Sequence, residues 1–216
     1  MIFTLERVSN PDIEPVTLAE MKTHLGEFDS VTDRDVDLES LITAGREWAE
    51  EYTGRAFVDQ TWRLTIEQTQ TTPVDAVPTP SRMVGLYTPR AKSEILLRRS
   101  PILTVDEVVT IDAAGAETVI QADTYQLRLA ASKYPKIVAL NAGTWSAEVT
   151  QITFRAGYAD RLASPQQDAT VIPERYKQAI KLWVEANYDR DTDRMELLLE
   201  TAQRLIKGEC INLSLA

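Results

Sequence analysis

The apolar residues of this chain change period twice, and that change limits the fold more than any other feature. From Asp33 to Tyr52, the residues Leu38, Leu41, Ile42, Gly45, Trp48, Ala49 and Tyr52 recur at steps of three and four, with Asp35, Glu39, Arg46, Glu47 and Glu50 on the other side. This spacing predicts an amphipathic helix, and Gly54 after Thr53 supplies a left-handed stop. Between residues 61 and 158 the pattern gives way to short β-branched and aromatic runs separated by Pro, Gly and Asp. These predict strands at Thr61–Glu67, Glu94–Leu97, Val105–Ile111, Glu117–Ile120, Tyr125–Leu129, Ile137–Leu140 and Glu148–Phe154. Asp112-Ala113-Ala114-Gly115 has the turn chemistry of a hairpin. Beyond Gly157 the helical period returns, with Tyr176, Ala179, Ile180, Trp183, Val184 and Asn187 on one face and Met195, Leu198, Leu199, Ala202, Leu205 and Ile206 on another.

Local signals mark the remaining boundaries. Thr17-Leu18-Ala19-Glu20 has the spacing of a capping box, Leu18, Met21 and Leu25 share a face, and Gly26 ends that short helix. Pro173 suits a first helical position. Gln68–Pro80, rich in Thr and Pro, has no periodicity and reads as a long mobile loop. Two predicted helices precede the strand-rich part and two follow it, and their apolar faces need partners. The expected fold is therefore α+β, a helical bundle built from the N- and C-terminal helices with a β-rich insertion between them. Its expected parts are residues 1–60 and 159–208 as the bundle, 61–158 as the insertion and 209–216 as an extended tail. In that tail Ile211, Leu213 and Leu215 alternate with polar residues, so it either docks on its own fold or is offered to a neighbour.

Composition narrows the chemistry. A chain of 216 residues can bury a substantial core, and no apolar run approaches the roughly 18 residues that a membrane span needs. The first residues carry no secretory-signal pattern, so synthesis and retention in a cytoplasm are expected. One cysteine, Cys210, and one histidine, His24, supply no recognisable metal-ligand set and no Cys-His machinery. Neither a cofactor nor a metal is expected. The net charge of −10 is uneven: residues 1–60 hold fourteen acidic and five basic side chains, 61–158 hold nine and ten, and 159–216 hold ten and eight. That balance opposes a nucleic-acid grip, which gains from clustered Lys and Arg.

Other constellations have plain readings. Asp29, Asp33, Asp35 and Asp37 lack the glycine and terminal Glu of a calcium loop and read as helix capping and solvation. Glu50 and Glu51 point about 100° apart on a helix and read as a solvated face rather than an acid–base pair. His24 reads as a surface or boundary residue, and Trp48, Trp62, Trp145 and Trp183 as packing residues.

Several segments, in their order, resemble the head-tail connector (adaptor) proteins of long-tailed phages and gene transfer agents. They are Pro15-Val16-Thr17-Leu18-Ala19-Glu20-Met21-Lys22-Thr23-His24-Leu25, the helix from Asp37 to Tyr52 with Thr53-Gly54-Arg55, and Arg98-Arg99-Ser100-Pro101-Ile102-Leu103-Thr104-Val105. Ala156-Gly157-Tyr158, Ile172-Pro173-Glu174-Arg175-Tyr176-Lys177-Gln178-Ala179-Ile180 and Tyr188-Asp189-Arg190 complete the series. The resemblance implies a non-catalytic virion protein, made in the bacterial cytoplasm and placed at the head-tail junction. It implies a homo-oligomeric ring, dodecameric in such connectors, seated between the portal protein and a tail-side stopper or tail terminator. Such a ring lines the DNA channel, passes DNA without sequence-specific binding and meets no membrane. It also implies that the C-terminal segment inserts into the portal, making Ile211, Leu213 and Leu215 candidate anchors. The basic residues Arg90, Lys92, Arg98 and Arg99 face three open readings: channel DNA, the acidic surface of a neighbouring subunit, or a solvated strand edge. The alternatives are another tail-completion or minor capsid protein, and a metal-dependent hydrolase.

Overall fold

Thr17 starts the first helix with the reciprocal bonds of a capping box. Its hydroxyl accepts from Glu20 N at 3.2 Å, and Glu20 Oε2 accepts from Thr17 N at 2.8 Å. In the computed structural model, which describes residues 2–28, 30–67, 93–140, 145, 147–158, 171–188 and 192–211, this helix is α1 (Leu18–Leu25). The expected loop Gln68–Pro80 lies outside the described residues. Gly26 at φ 75° closes α1, and Gly54 at φ 71° closes α2 (Asp35–Thr53). Asp35 and Asp37 lie in the first turn of α2, where the helix dipole favours negative charge. The chain returns to helix in α3 (Glu174–Tyr188) and α4 (Thr192–Ile206).

The four helices share one core, in which Met21, Leu38, Ile42, Phe57, Tyr176, Ile180, Val184 and Ile206 are buried. α2 and α3 approach closely at Gly45, where an added Cβ would sit 3.1 Å from Trp183 Cε3, 3.2 Å from Val184 Cγ2 and 3.3 Å from Ile180 Cγ2. Ile180 and Val184 are buried in the core and Trp183 packs against it, so a long side chain has to force the helices apart. Gly45→Leu is expected to lower unfolding stability by about 1–3 kcal/mol, read from the midpoint of urea denaturation.

Among the described residues, eight strands form two antiparallel sheets. They are β1 (Ile2–Arg7), β2 (Gln60–Glu67), β3 (Glu94–Leu96), β4 (Ile102–Ile111), β5 (Glu117–Val119), β6 (Tyr125–Arg128), β7 (Lys136–Ala139) and β8 (Val149–Ala156). The larger sheet runs β1-β2-β8-β4-β5 and the smaller β3-β7-β6. β2 and β8 alternate buried and half-buried residues, the mark of strands with one face on a core. That second core contains Trp62, Leu64, Ile95, Ile102, Val108, Ile152 and Phe154. The turn between β4 and β5 forms as its sequence predicts, with Asp112 Oδ1 accepting from Ala114 N and Ala116 N, both at 2.9 Å, and Gly115 at φ 82°.

The expected helical bundle with a β-rich insertion is not the architecture of this chain. Among the described residues, four helices stand beside two sheets with a separate core, and the larger sheet begins with Ile2–Arg7, ahead of the first helix. β1 pairs with β2 along its whole length, from Ile2 opposite Glu67 to Arg7 opposite Trp62. The strands are therefore not looped out between the helical ends. Residues 2–7 carry no clean alternation, because β1 is an edge strand whose Ile2 and Phe3 remain exposed. Its conformation comes from a ladder with residues some sixty positions away, which no local pattern encodes.

Candidate functional site

α2 carries Arg46 and Glu50 one turn apart on its buried side, and both are almost wholly enclosed. Arg46 donates from Nε to Glu14 Oε2 at 2.8 Å and from Nη1 to Glu50 Oε2 at 3.0 Å. The other Glu50 oxygen accepts from Phe57 N at 2.7 Å and Gln60 Nε2 at 2.6 Å. Burial pushes the Glu50 carboxyl above its ordinary value, opposed by the Arg46 charge and by the donors from Phe57 and Gln60. Burial also works against the Arg46 cation, but Glu50 and Glu14 outweigh it and hold the guanidinium above its usual value. Every neighbour of the Glu50 oxygens in this set is a donor, so the site is built to receive a carboxylate. The cluster joins the helical layer to the start of β2. Its acid is fully engaged with structural donors, an arrangement suited to fixing the two layers rather than to proton transfer.

Arg99 completes this seam from the sheet side. It donates from Nη1 to the Glu50 carbonyl at 2.9 Å, and its guanidinium lies 4.4 Å from the centre of the Trp62 ring. Burial lowers its pKa, partly offset by Glu50 and Glu51. Arg98, its neighbour in sequence, lies 4.1 Å from the centre of the Phe3 ring on β1. The two arginines thus hold separate aromatic rings on adjacent strands. Arg90 and Lys92 lie outside the described residues.

The C-terminal segment to Ile211 is fastened to its own fold. Glu209 accepts from Arg55 Nη2 at 3.1 Å and from Arg175 Nη1 at 2.8 Å, while Arg55 Nε donates to the Glu209 carbonyl at 3.1 Å. Ile211 N donates to Thr53 O at 2.8 Å, and its side chain covers Gly54 at the end of α2. Ile211 is 9% exposed. Leu213 and Leu215 lie outside the described residues.

The remaining sequence candidates fall into packing roles. His24 Nε2 lies 2.9 Å from Glu185 Oε2, and Glu185 also bonds Arg194. Trp48 stacks between Tyr52 and Trp183, and Trp145 donates from Nε1 to Ser93 O at 3.1 Å. Among the described residues no group of three or more His, Cys, Asp or Glu could hold a metal ion; Asp29 lies outside them. Glu50 corrects the expected solvated face: Glu51 is exposed, but Glu50 is buried. The signal was present in the spacing, since Glu50 follows Ile42 and Arg46 at steps of four and so belongs to the inward side.

An open groove of about 590 Å³ lies between the segment before α1 and the middle of α2, lined by Ile13, Glu14, Val16, Thr17, Leu18, Glu39, Ile42 and Thr43. Its lining is mostly apolar and includes two carboxylates, of which Glu14 is held by Arg46 and Thr43.

Among solved structures, the chain is similar to one in the neck of an empty gene transfer agent particle computed with C6 symmetry. The two are 21% identical with a TM-score of 0.65, over 92% of this chain and 94% of that one. A chain of the native particle's neck, computed with C12 symmetry, gives 21% identity and a TM-score of 0.63 over 92% and 94%. A chain of the native virion gives 21% and 0.64 over 91% and 93%. This fold is shared with chains of gene transfer agent particles. At that identity the likeness is one of fold. No family model matches the chain, and no curated protein matches it.

Proposed function

We propose that this chain is a structural virion protein of the neck, a head-tail connector that forms a ring between the portal and the tail-side proteins and lines the DNA channel. The observation that carries the reading is the extent of the fold match, which takes in more than nine-tenths of both chains and leaves no large part of either to another purpose. The connector-like segments of the sequence point the same way. So does the acidic balance, which suits a wall that passing DNA must not adhere to. The C6 and C12 symmetries in which the similar necks were computed favour a closed ring of copies, each presenting two different surfaces to its neighbours.

In this reading Leu213 and Leu215 are the apolar anchors that enter the portal, while Ile211 sets the point from which they depart. The test is a pull-down of the purified chain on its cognate portal, comparing the full chain with one ending at Ile211, followed by electron microscopy of the complex. Ending at Ile211 keeps its hydrogen bond to Thr53 O and its packing on Gly54, so the shortened chain is expected to fold and any loss reports the tail alone. The expected result is a portal-bound ring for the full chain and loss of at least tenfold in retention for the shortened one, the scale of an interface hot spot. A folded full-length chain that leaves the portal unbound overturns the connector role and makes a tail-completion component the better reading.

A further inference from the structure

The connection between α1 and α2 and the first turn of α2 expose large apolar side chains, while residues on either side of them are bonded to the helices. Phe28 is 78% exposed, Val36 76% and Val31 44%, unusual values for an aromatic and two β-branched residues. A loop that merely linked two helices would be polar and loosely attached. Here Lys22, itself buried, donates to Val31 O at 2.7 Å and pairs with Asp35. Tyr188 on α3 donates to Glu27, and the Arg34 guanidinium lies 4.2 Å from the centre of the Tyr188 ring. Val31 N closes a turn on Phe28 O at 3.0 Å. The fastenings come from α1, α2 and α3, so the three apolar groups are presented in one arrangement before any partner arrives. Pre-ordering of this kind removes an entropic cost of binding.

The charge around the patch says what fits it. Asp33, Asp37 and Glu39 are exposed beside these residues in sequence, while the nearby cations Arg34 and Lys22 are engaged with Tyr188 and Asp35. We propose that this loop is a docking surface for a different protein of the same particle, one that offers an apolar pocket with a rim of Lys and Arg. The inference rests on the neck reading for the identity of that partner as a particle protein. A second copy of the chain is a poorer match: the apolar groove beside α2 has no Lys or Arg among its lining residues, and its exposed Glu39 would meet the carboxylates of the patch. An anionic lipid surface is disfavoured by the same charge.

The test uses particles assembled with the full-length chain carrying p-benzoylphenylalanine at position 28, irradiated and analysed by mass spectrometry, alongside particles assembled with the F28D/V36D chain. Both altered residues are exposed, so the double variant is expected to keep the thermal midpoint of the unaltered chain. The expected results are a cross-link from position 28 to a different particle protein at a site bordered by Lys or Arg, and a loss of about tenfold or more in F28D/V36D chain per particle. Cross-links only between copies of this chain, or only to lipid, overturn the inference. Equal loading of the double variant also overturns it and leaves the neck reading standing. Absence of the unaltered chain from purified particles defeats the neck reading itself, and this inference with it.

Discussion

Glu50→Ala is expected to lower unfolding stability by about 3–5 kcal/mol, the range for removing one partner of a buried ion pair. The loss has three parts. Arg46 keeps Glu14 but loses the enclosed carboxylate at 3.0 Å, Phe57 N loses its acceptor at 2.7 Å, and Gln60 Nε2 loses one at 2.6 Å. Each donor would remain inside the protein, where leaving it unpaired costs about 1–3 kcal/mol. The measurement is the urea midpoint, with an unchanged denaturant slope as the sign that the folded state is otherwise the same. A double-mutant cycle with Arg46→Met separates this account from simple loss of packing. If the charge left behind is what destabilises, the double variant loses less than the two single losses added, by at least about 1 kcal/mol. Strict additivity would mean that the pair acts only through volume.

Gly157→Ala is expected to be as severe, for a reason of backbone rather than charge. Gly157 follows β8 with φ 149°, and an added Cβ would lie 2.6 Å from Asp59 N and nearer still to the Val58 carbonyl. The neighbours cannot yield, because Gly157 N donates to Pro101 O at 2.9 Å and Tyr158 N to Phe57 O at 3.1 Å. The obstructing atoms are backbone, so no rotamer change relieves the contact. A loss of about 3–5 kcal/mol is expected, corresponding to a fall of about 10 °C in the thermal midpoint for a chain of this size. A shift under about 3 °C would show that the β8 exit rearranges freely, contrary to the bonds that enclose it.

The element types were legible because their causes are local. The Thr17 cap, the left-handed glycines at 26 and 54, the Asp112 turn and the alternation in β2 and β8 are all set by residues within a few positions of one another. What the sequence hid depends on contacts distant along the chain. β1 exists through its ladder to residues 62–67, and missing it led to the expectation of an inserted sheet. The seam was half visible: Arg46 and Glu50 have the spacing of a helix pair, but the donors that enclose Glu50 come from Phe57 and Gln60, beyond the helix stop. Arg99 had three open readings, channel DNA, a neighbouring subunit or a solvated strand edge, and only the fold brings Trp62 beneath it. The docking of Ile211 was one of two readings of its alternating tail, and Thr53 O with Gly54 supplies the seat.

The position of β8 in the middle of the larger sheet sets an order of events on the ribosome. β1 can meet β2 once residue 67 has emerged, and β4 can meet β5 once residue 119 has. Neither pair touches the other until Val149–Ala156 arrives to lie between β2 and β4. From the emergence of residue 119 until β8 arrives, the nascent chain therefore holds two half-sheets, each with an open edge where β8 will go. Such edges are templates for strands of other chains, and the exposure lasts until nearly three-quarters of the protein has been made. A ribosome that stops before residue 149 releases a chain with both edges unfilled, prone to pairing with its own kind in the wrong way. Correct closure of the larger sheet depends on the timely arrival of one strand.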